Sequence, residues 1–278
     1  MSAFIQQHSA IQRLEPFLIA IPQNRWNLDL EPFGLSIPAS NIIDPTRLSS
    51  EPFLSLLQTL DARTFGPEGM PMDRWVFYDC CYMPGAIFGF GLRACDLSED
   101  ARQLFGVSTD YEGLVPYAMY IAIPMVPEGA WMGHNLASIG PMLPEEGFNG
   151  LGSVTKAIAL RCFQAERFYG ATQWSSKALY VHIKFGPLDL LTAYTPAHST
   201  PETLTYAFEA SERSLLSAAG DPTAHFDRPE PEQWVEASDV ETMIKLQDRI
   251  EAGEQFMIPT RPRRDETGVW VPVCKKPS

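Results

Sequence analysis

The chain has 278 residues, 45% hydrophobic and 20% charged, the composition of an ordinary globular protein with room for one large domain or two modest ones. Its formal net charge of -13 excludes free nucleic acid as a general partner, because phosphates need Lys and Arg to displace their counterions. The same charge suits a cationic substrate such as an amine, or simply keeps the protein soluble.

The opening residues, Met1-Ser-Ala-Phe-Ile-Gln-Gln-His8, show no basic region followed by an apolar run, so no secretory signal is expected. No stretch reaches the roughly 18 apolar residues that span a bilayer. No membrane association is expected, and the expected compartment is the cytoplasm. The cysteines, Cys80, Cys81, Cys95, Cys162 and Cys274, are odd in number and have no CxxC spacing, so they read as reduced thiols. A nucleophilic cysteine with a distant histidine is the chemical alternative, without local support. The histidines are scattered and no HExxH or Asp-rich loop occurs, so no metal site is expected.

In chain order, Phe17–Pro22 reads as a strand. Glu51–Asp61 reads as a helix capped by Ser49 or Ser50, with Phe53, Leu54, Leu57 and Leu60 on one stripe. Arg74–Tyr82 and Ala86–Arg93 are rich in β-branched and aromatic residues around Met83-Pro-Gly85, which predicts a β-hairpin with Cys80 and Cys81 on alternate faces. Val115–Val126 and Trp131–Ile139 are further strands. The loop Gly147-Phe-Asn-Gly-Leu-Gly152 then leads into an amphipathic helix, 153–167, with Val154, Ile158, Ala159 and Cys162 on one face. A strand at Tyr169–Trp174, a short helix at Lys177–Phe185 stopped by Gly186, and strands at Leu188–Tyr194 and Thr203–Phe208 follow. A last helix is expected at Val235–Ala252, then an extended tail. The fold class expected is α/β: a mixed, largely antiparallel central sheet flanked by helices. Its main domain covers 1–220, with a core of about 50–200, and a C-terminal extension, 221–278, packs on it.

Gly150 and Gly152 remove side chains where a backbone must approach a ligand. The first turn of the helix leaves amide hydrogens at the positive end of its dipole, where a pyrophosphate fits, and the hydroxyls of Ser153 and Thr155 add donors. The loop is neither a dinucleotide fingerprint nor a Walker loop, since GxGxxG and Gly-Lys-Ser/Thr are both missing.

The segment from Asn135 to Ile158 resembles the coenzyme A motif of the GNAT superfamily, a splayed strand leading into R/Q-x-x-G-x-G/A and a helix. Ala178-Leu-Tyr-Val-His-Ile-Lys-Phe-Gly186 is similar to that family's next helix, and the resemblance covers about residues 50–200. Gly147 stands where the family has Arg or Gln, and His182 where it often has a Tyr. The resemblance implies acyl transfer, acetyl or short acyl, from acyl-coenzyme A to an amine in a ternary complex without an enzyme nucleophile. The pantetheine arm would pair with Leu136, Ala137, Ser138 and Ile139, and an N–H near Ser138 would polarise the thioester oxygen. The pyrophosphate would lie on Asn149, Gly150, Leu151, Gly152, Ser153 and Thr155. His134 would serve as base, or Asp79 or Tyr78 across the sheet, and His182 or Tyr180 would protonate the thiolate. Each has a structural alternative: a backbone-bonded His134, an exposed His182, an Asp79 paired within the hairpin. Two rival functions are a non-catalytic coenzyme A-binding or interaction protein on the same scaffold, and a hot-dog thioesterase or decarboxylase. Ser199 and His198 lack a GxSxG elbow and read as a turn.

Overall fold

The computed structural model describes residues 8–24, 28, 30–82 and 85–277. Residues 1–7, read above for a signal, and residues 83–84 of the expected turn lie outside them. Two compact units are present, one of residues 1–128 with 133–164, the other of 129–132 with 165–278. This division does not coincide with the step expected at 220.

The first unit holds β1 (Glu15–Ile19), β2 (Ile42–Ile43), β3 (Ala86–Arg93), β4 (Leu114–Pro124) and most of β5 (Ala130–Ser138), in the order β2-β1-β3-β4-β5. β1 pairs parallel with β2, and β1–β3 and β3–β4 are antiparallel. Both β3 and β4 are buried along nearly their whole length, which matches their continuous apolar runs. The helices are α1 (Glu51–Phe65), α2 (Trp75–Tyr82), α3 (Glu99–Phe105) and α4 (Leu151–Cys162). α1 and α4 both pack on β4. α1 buries the expected stripe, Phe53, Leu54, Leu57 and Leu60, but continues past Asp61, which is itself fully buried.

Residues 75–82 form a helix, so the expected hairpin does not exist. Val76, Phe77, Cys80 and Cys81 are buried at helical spacing, and exposed Tyr78 and Tyr82 stack at i, i+4 with ring centroids 5.6 Å apart. Burial of one helical face outweighs the local strand preference of these residues. Cys80 and Cys81 therefore share the buried side, and Asp79 sits on a helix rather than across a sheet.

The second unit takes the start of β5 with β6 (Arg167–Gln173), β7 (Leu188–Thr192), β8 (Thr203–Glu209), β9 (Gln233–Glu236), β10 (Phe256–Ile258), β11 (Arg263–Asp265) and β12 (Gly268–Lys275). Their order is β5-β6-β8-β7-β10-β12-β11, with β9 also on β12. β5 and β6 run parallel over Ala130↔Arg167, Trp131↔Phe168 and Met132↔Tyr169, and the remaining pairs are antiparallel. The helices are α5 (Ala178–His182), continued by a 3-10 turn at Ile183–Phe185, α6 (Glu212–Ala219) and α7 (Val240–Glu251). The helix expected from Val235 is split. Gln233–Glu236 pairs with β12, and α7 starts only after Asp239, whose carboxylate accepts from the Thr242 N–H at 3.0 Å. Residues 221–278 do not lie on the sheet as an appendage. They supply four of its strands, with β10 hydrogen-bonded between β7 and β12. The fold class is as expected, α/β with a mixed, largely antiparallel sheet and flanking helices. No helix among the described residues is long and apolar enough to cross a membrane.

Candidate functional site

The turn between β5 and α4 is built by its glycines and one aromatic anchor. Gly147 (φ 78°) ends a 3-10 turn at Pro144–Glu146, and Gly150 (φ 83°) starts α4. Both adopt the left-handed conformation that side chains resist. Between them Phe148 is only 1% exposed and meets the Tyr117 ring edge-on at 5.0 Å, with the Arg13 guanidinium 5.2 Å from its centroid. Pinned by Phe148, the turn leaves Gly147, Asn149 and Gly150 exposed. Gly152 lies beside β5: a Cβ there would sit 3.3 Å from the Ser138 Cβ and 3.8 Å from the Leu136 Cγ.

Among the described residues helix α4 finds no side-chain cap. The Leu151 N–H donates to the Phe148 carbonyl at 3.1 Å, and the Val154 N–H to Gly150 at 3.0 Å. Among the described residues the N–H groups of Gly150 and Gly152 have no acceptor. An anion placed there would meet bare amides at the positive end of the helix.

Several residues expected to touch a cofactor point elsewhere. Thr155 is fully buried, and its hydroxyl donates back to the Leu151 carbonyl at 2.7 Å, a bond helical Thr makes readily. Ser153 is 2% exposed, so its hydroxyl is not offered to a surface ligand. Leu151, Ala137 and Ile139 are fully buried, and the Ile139 N–H is taken by the Tyr117 carbonyl at 2.8 Å. Asn149, Gly150, Gly152 and Ser138 keep some exposure, although the Ser138 Oγ accepts from the Gly140 N–H at 3.4 Å.

His134 is exposed on β5, and its Nδ1 lies 2.9 Å from the Asn135 Oδ1. Asn135 donates its amide Nδ2 to the Asp61 Oδ1 at 2.9 Å, and the other Asp61 oxygen accepts from the Met72 N–H at 2.6 Å. Burial pushes the Asp61 carboxyl above the usual range, against the two hydrogen bonds that pull it down. The sequence reading passed over Asp61 and Asn135. The signal was there: Asp61 falls at i+7 from Leu54 and i+4 from Leu57, on the buried stripe, where a carboxylate must find partners.

Lys156 also escaped notice. It is fully buried on α4 with its Nζ 5.8 Å from the Tyr120 ring centroid, and burial holds its ammonium well below the usual lysine range. Among the described residues the Tyr120 hydroxyl finds no hydrogen-bond partner.

Asp79 is half-buried on α2. Tyr180 and His182 belong to the second unit, on α5, both half-buried, with the His182 ring 5.0 Å from that of Tyr206. His198 makes local turn contacts, accepting from the Thr200 N–H at 3.0 Å. Burial pushes the thiols of Cys80 and Cys81 up to about 11 and about 12, so neither is a thiolate near neutral pH.

No family model and no curated protein matches the chain. Solved acetyltransferase structures are similar to it. An aminoglycoside 6'-acetyltransferase type Ii has 11% identity and a TM-score of 0.40, over 61% of this chain and 95% of that one. The ribosomal-protein-S18-alanine N-acetyltransferase from Escherichia coli has 13% identity and a TM-score of 0.38, over 59% and 90%. An acetyltransferase of the GNAT family from Staphylococcus aureus has 7% identity and a TM-score of 0.36, over 59% and 96%. Scores this low describe a partial backbone likeness and say nothing of a shared activity.

Proposed function

We propose that this protein transfers an acetyl or short acyl group from acyl-coenzyme A to an amine by direct attack. The observation that carries the reading is the exposed turn at Gly147–Gly152, with the unaccepted amides of Gly150 and Gly152 at the start of α4. A diphosphate would be held there by backbone alone, since Gly147 offers no side chain and the Thr155 hydroxyl is turned inward. The closeness of Gly152 to Ser138 and Leu136 supports laying the pantetheine arm along this end of β5. The Ile139 N–H is already engaged and would take no part.

In the reaction the amine nitrogen attacks the thioester carbonyl carbon, the C–S bond breaks, and the coenzyme leaves as a thiolate. The Nε2 of His134 takes the proton the amine must lose. The negative charge of the chain favours a cationic amine. A hot-dog enzyme fits less well, because β5 and β6 pair in parallel and the chain between them includes α4.

The test is a thermal shift with acetyl-coenzyme A and with S-acetylpantetheine, which lacks the diphosphate. Acetyl-coenzyme A should stabilise as RT ln(1 + [L]/Kd), about 2.7 kcal/mol at a hundredfold excess over Kd, and the truncated thioester much less. Thiol release that depends on added amine should follow. No shift at millimolar acetyl-coenzyme A would end the proposal. A shift without turnover would favour a binding protein, and thiol release without amine a thioesterase.

A further inference from the structure

The Asp61–Asn135–His134 chain has a direction. The Asp61 carboxyl accepts on both oxygens, from the Met72 N–H at 2.6 Å and from the NH₂ of Asn135 at 2.9 Å. That choice turns the Asn135 carbonyl oxygen toward His134, 2.9 Å from its Nδ1. A carbonyl also only accepts, so the hydrogen of the neutral imidazole must be on Nδ1. The lone pair is then left on Nε2 of an exposed ring. At the buried end, Asp61 is 0% exposed and held by the Met72 N–H on its other oxygen, so it cannot swing away from Asn135. Asp61 of α1 and, 74 positions on, the adjacent pair His134 and Asn135 of β5 thus form one polar line ending in a base.

We propose that Asp61 and Asn135 are positioning residues that fix His134 in its Nδ1–H tautomer and so present Nε2 as the general base. The base role rests on the acyl-transfer reading above, whereas the tautomer does not. Free imidazole side chains favour the opposite, Nε2–H form, in which the lone pair would face the Asn135 oxygen and no base would be presented. A purely structural Asn135 would tie β5 to α1 but would leave the ring of His134 indifferent.

The experiment is a long-range ¹H–¹⁵N spectrum of the full-length protein in alkaline buffer, with the resonance assigned through His134→Gln. A protonated Nδ1 and an unprotonated Nε2 are expected in the wild type. Predominance of Nε2–H would overturn the proposal, whatever the protein binds. Asn135→Ala should return the ring to Nε2–H. An unchanged tautomer in Asn135→Ala would remove Asn135 from the line. With an amine acceptor in hand, Asn135→Ala should lower kcat by about tenfold and leave the KM for acetyl-coenzyme A unchanged, against a loss of ~100-fold for His134→Gln. Should acetyl-coenzyme A fail to bind while the Nδ1–H form is seen, acyl transfer falls and the oriented histidine stands.

Discussion

Helices α4 and α7 begin in opposite ways. At α7 the carboxylate of Asp239 accepts from the Thr242 N–H at 3.0 Å and from the Thr242 hydroxyl at 2.6 Å. α3 and α6 follow the same plan, with Ser98 accepting from the Ala101 N–H and Ser211 from the Ser214 N–H. α4 has a glycine at its cap position and, among the described residues, no side-chain acceptor. A helix start can satisfy its amides from within, which stabilises it by about 1 kcal/mol, or leave them for something from outside. The first kind tells about folding. The second, in an exposed turn, is where a ligand has most to gain.

The largest expected effect that would break this contrast is at Gly150. Gly150→Val places a β-branched residue at a φ of 83° and should cost on the order of 1–3 kcal/mol in chemical denaturation. It should also abolish the thermal shift with acetyl-coenzyme A. A retained shift would mean that the start of α4 is not where the ligand sits. Next is Asp239→Ala, which should lower stability by about 1 kcal/mol and leave the acetyl-coenzyme A shift intact. A loss of ligand response there would show that the two helix starts are not independent. The smallest effect lies beyond the far end of α7, where the Arg249 guanidinium and the Lys275 ammonium hold the Glu254 carboxyl down to about 2. An unfolded carboxyl titrates near ~4.3, so this contribution is complete above that pH and fades as the pH falls toward about 2. Glu254→Gln should therefore shrink the stability difference between neutral and acid solution, read from urea midpoints at several pH values, with little change at the acid end.

Most of the elements were legible because their pattern is local. The stripe of α1, the apolar runs of β3 and β4, and the glycine turn before α4 are each specified within a dozen residues. What was not legible depends on distant partners. Trp75–Tyr82 carries strand-like residues, yet packing decides for a helix, and no local count of β-branched or aromatic residues reveals that. Val235 and Glu236 read as the start of the helix that follows, because only the register of Gln233–Glu236 with β12 marks them as strand. The candidate site divides in the same way. The turn and His134 could be picked out from the sequence. The inward hydroxyl of Thr155 and the Asp61–Asn135 contact could not, since they depend on a side-chain rotamer and on residues 74 positions apart.

The position of β10 has a bearing on how the protein can be dissected. β7 is hydrogen-bonded to β8 on one side and to β10 on the other, and β10 comes from the last quarter of the chain. A fragment ending at 220 would open a row of unpaired backbone groups along Leu188–Leu190, an edge ready to recruit another strand. Such a piece would be a poor minimal domain and a good seed for aggregates.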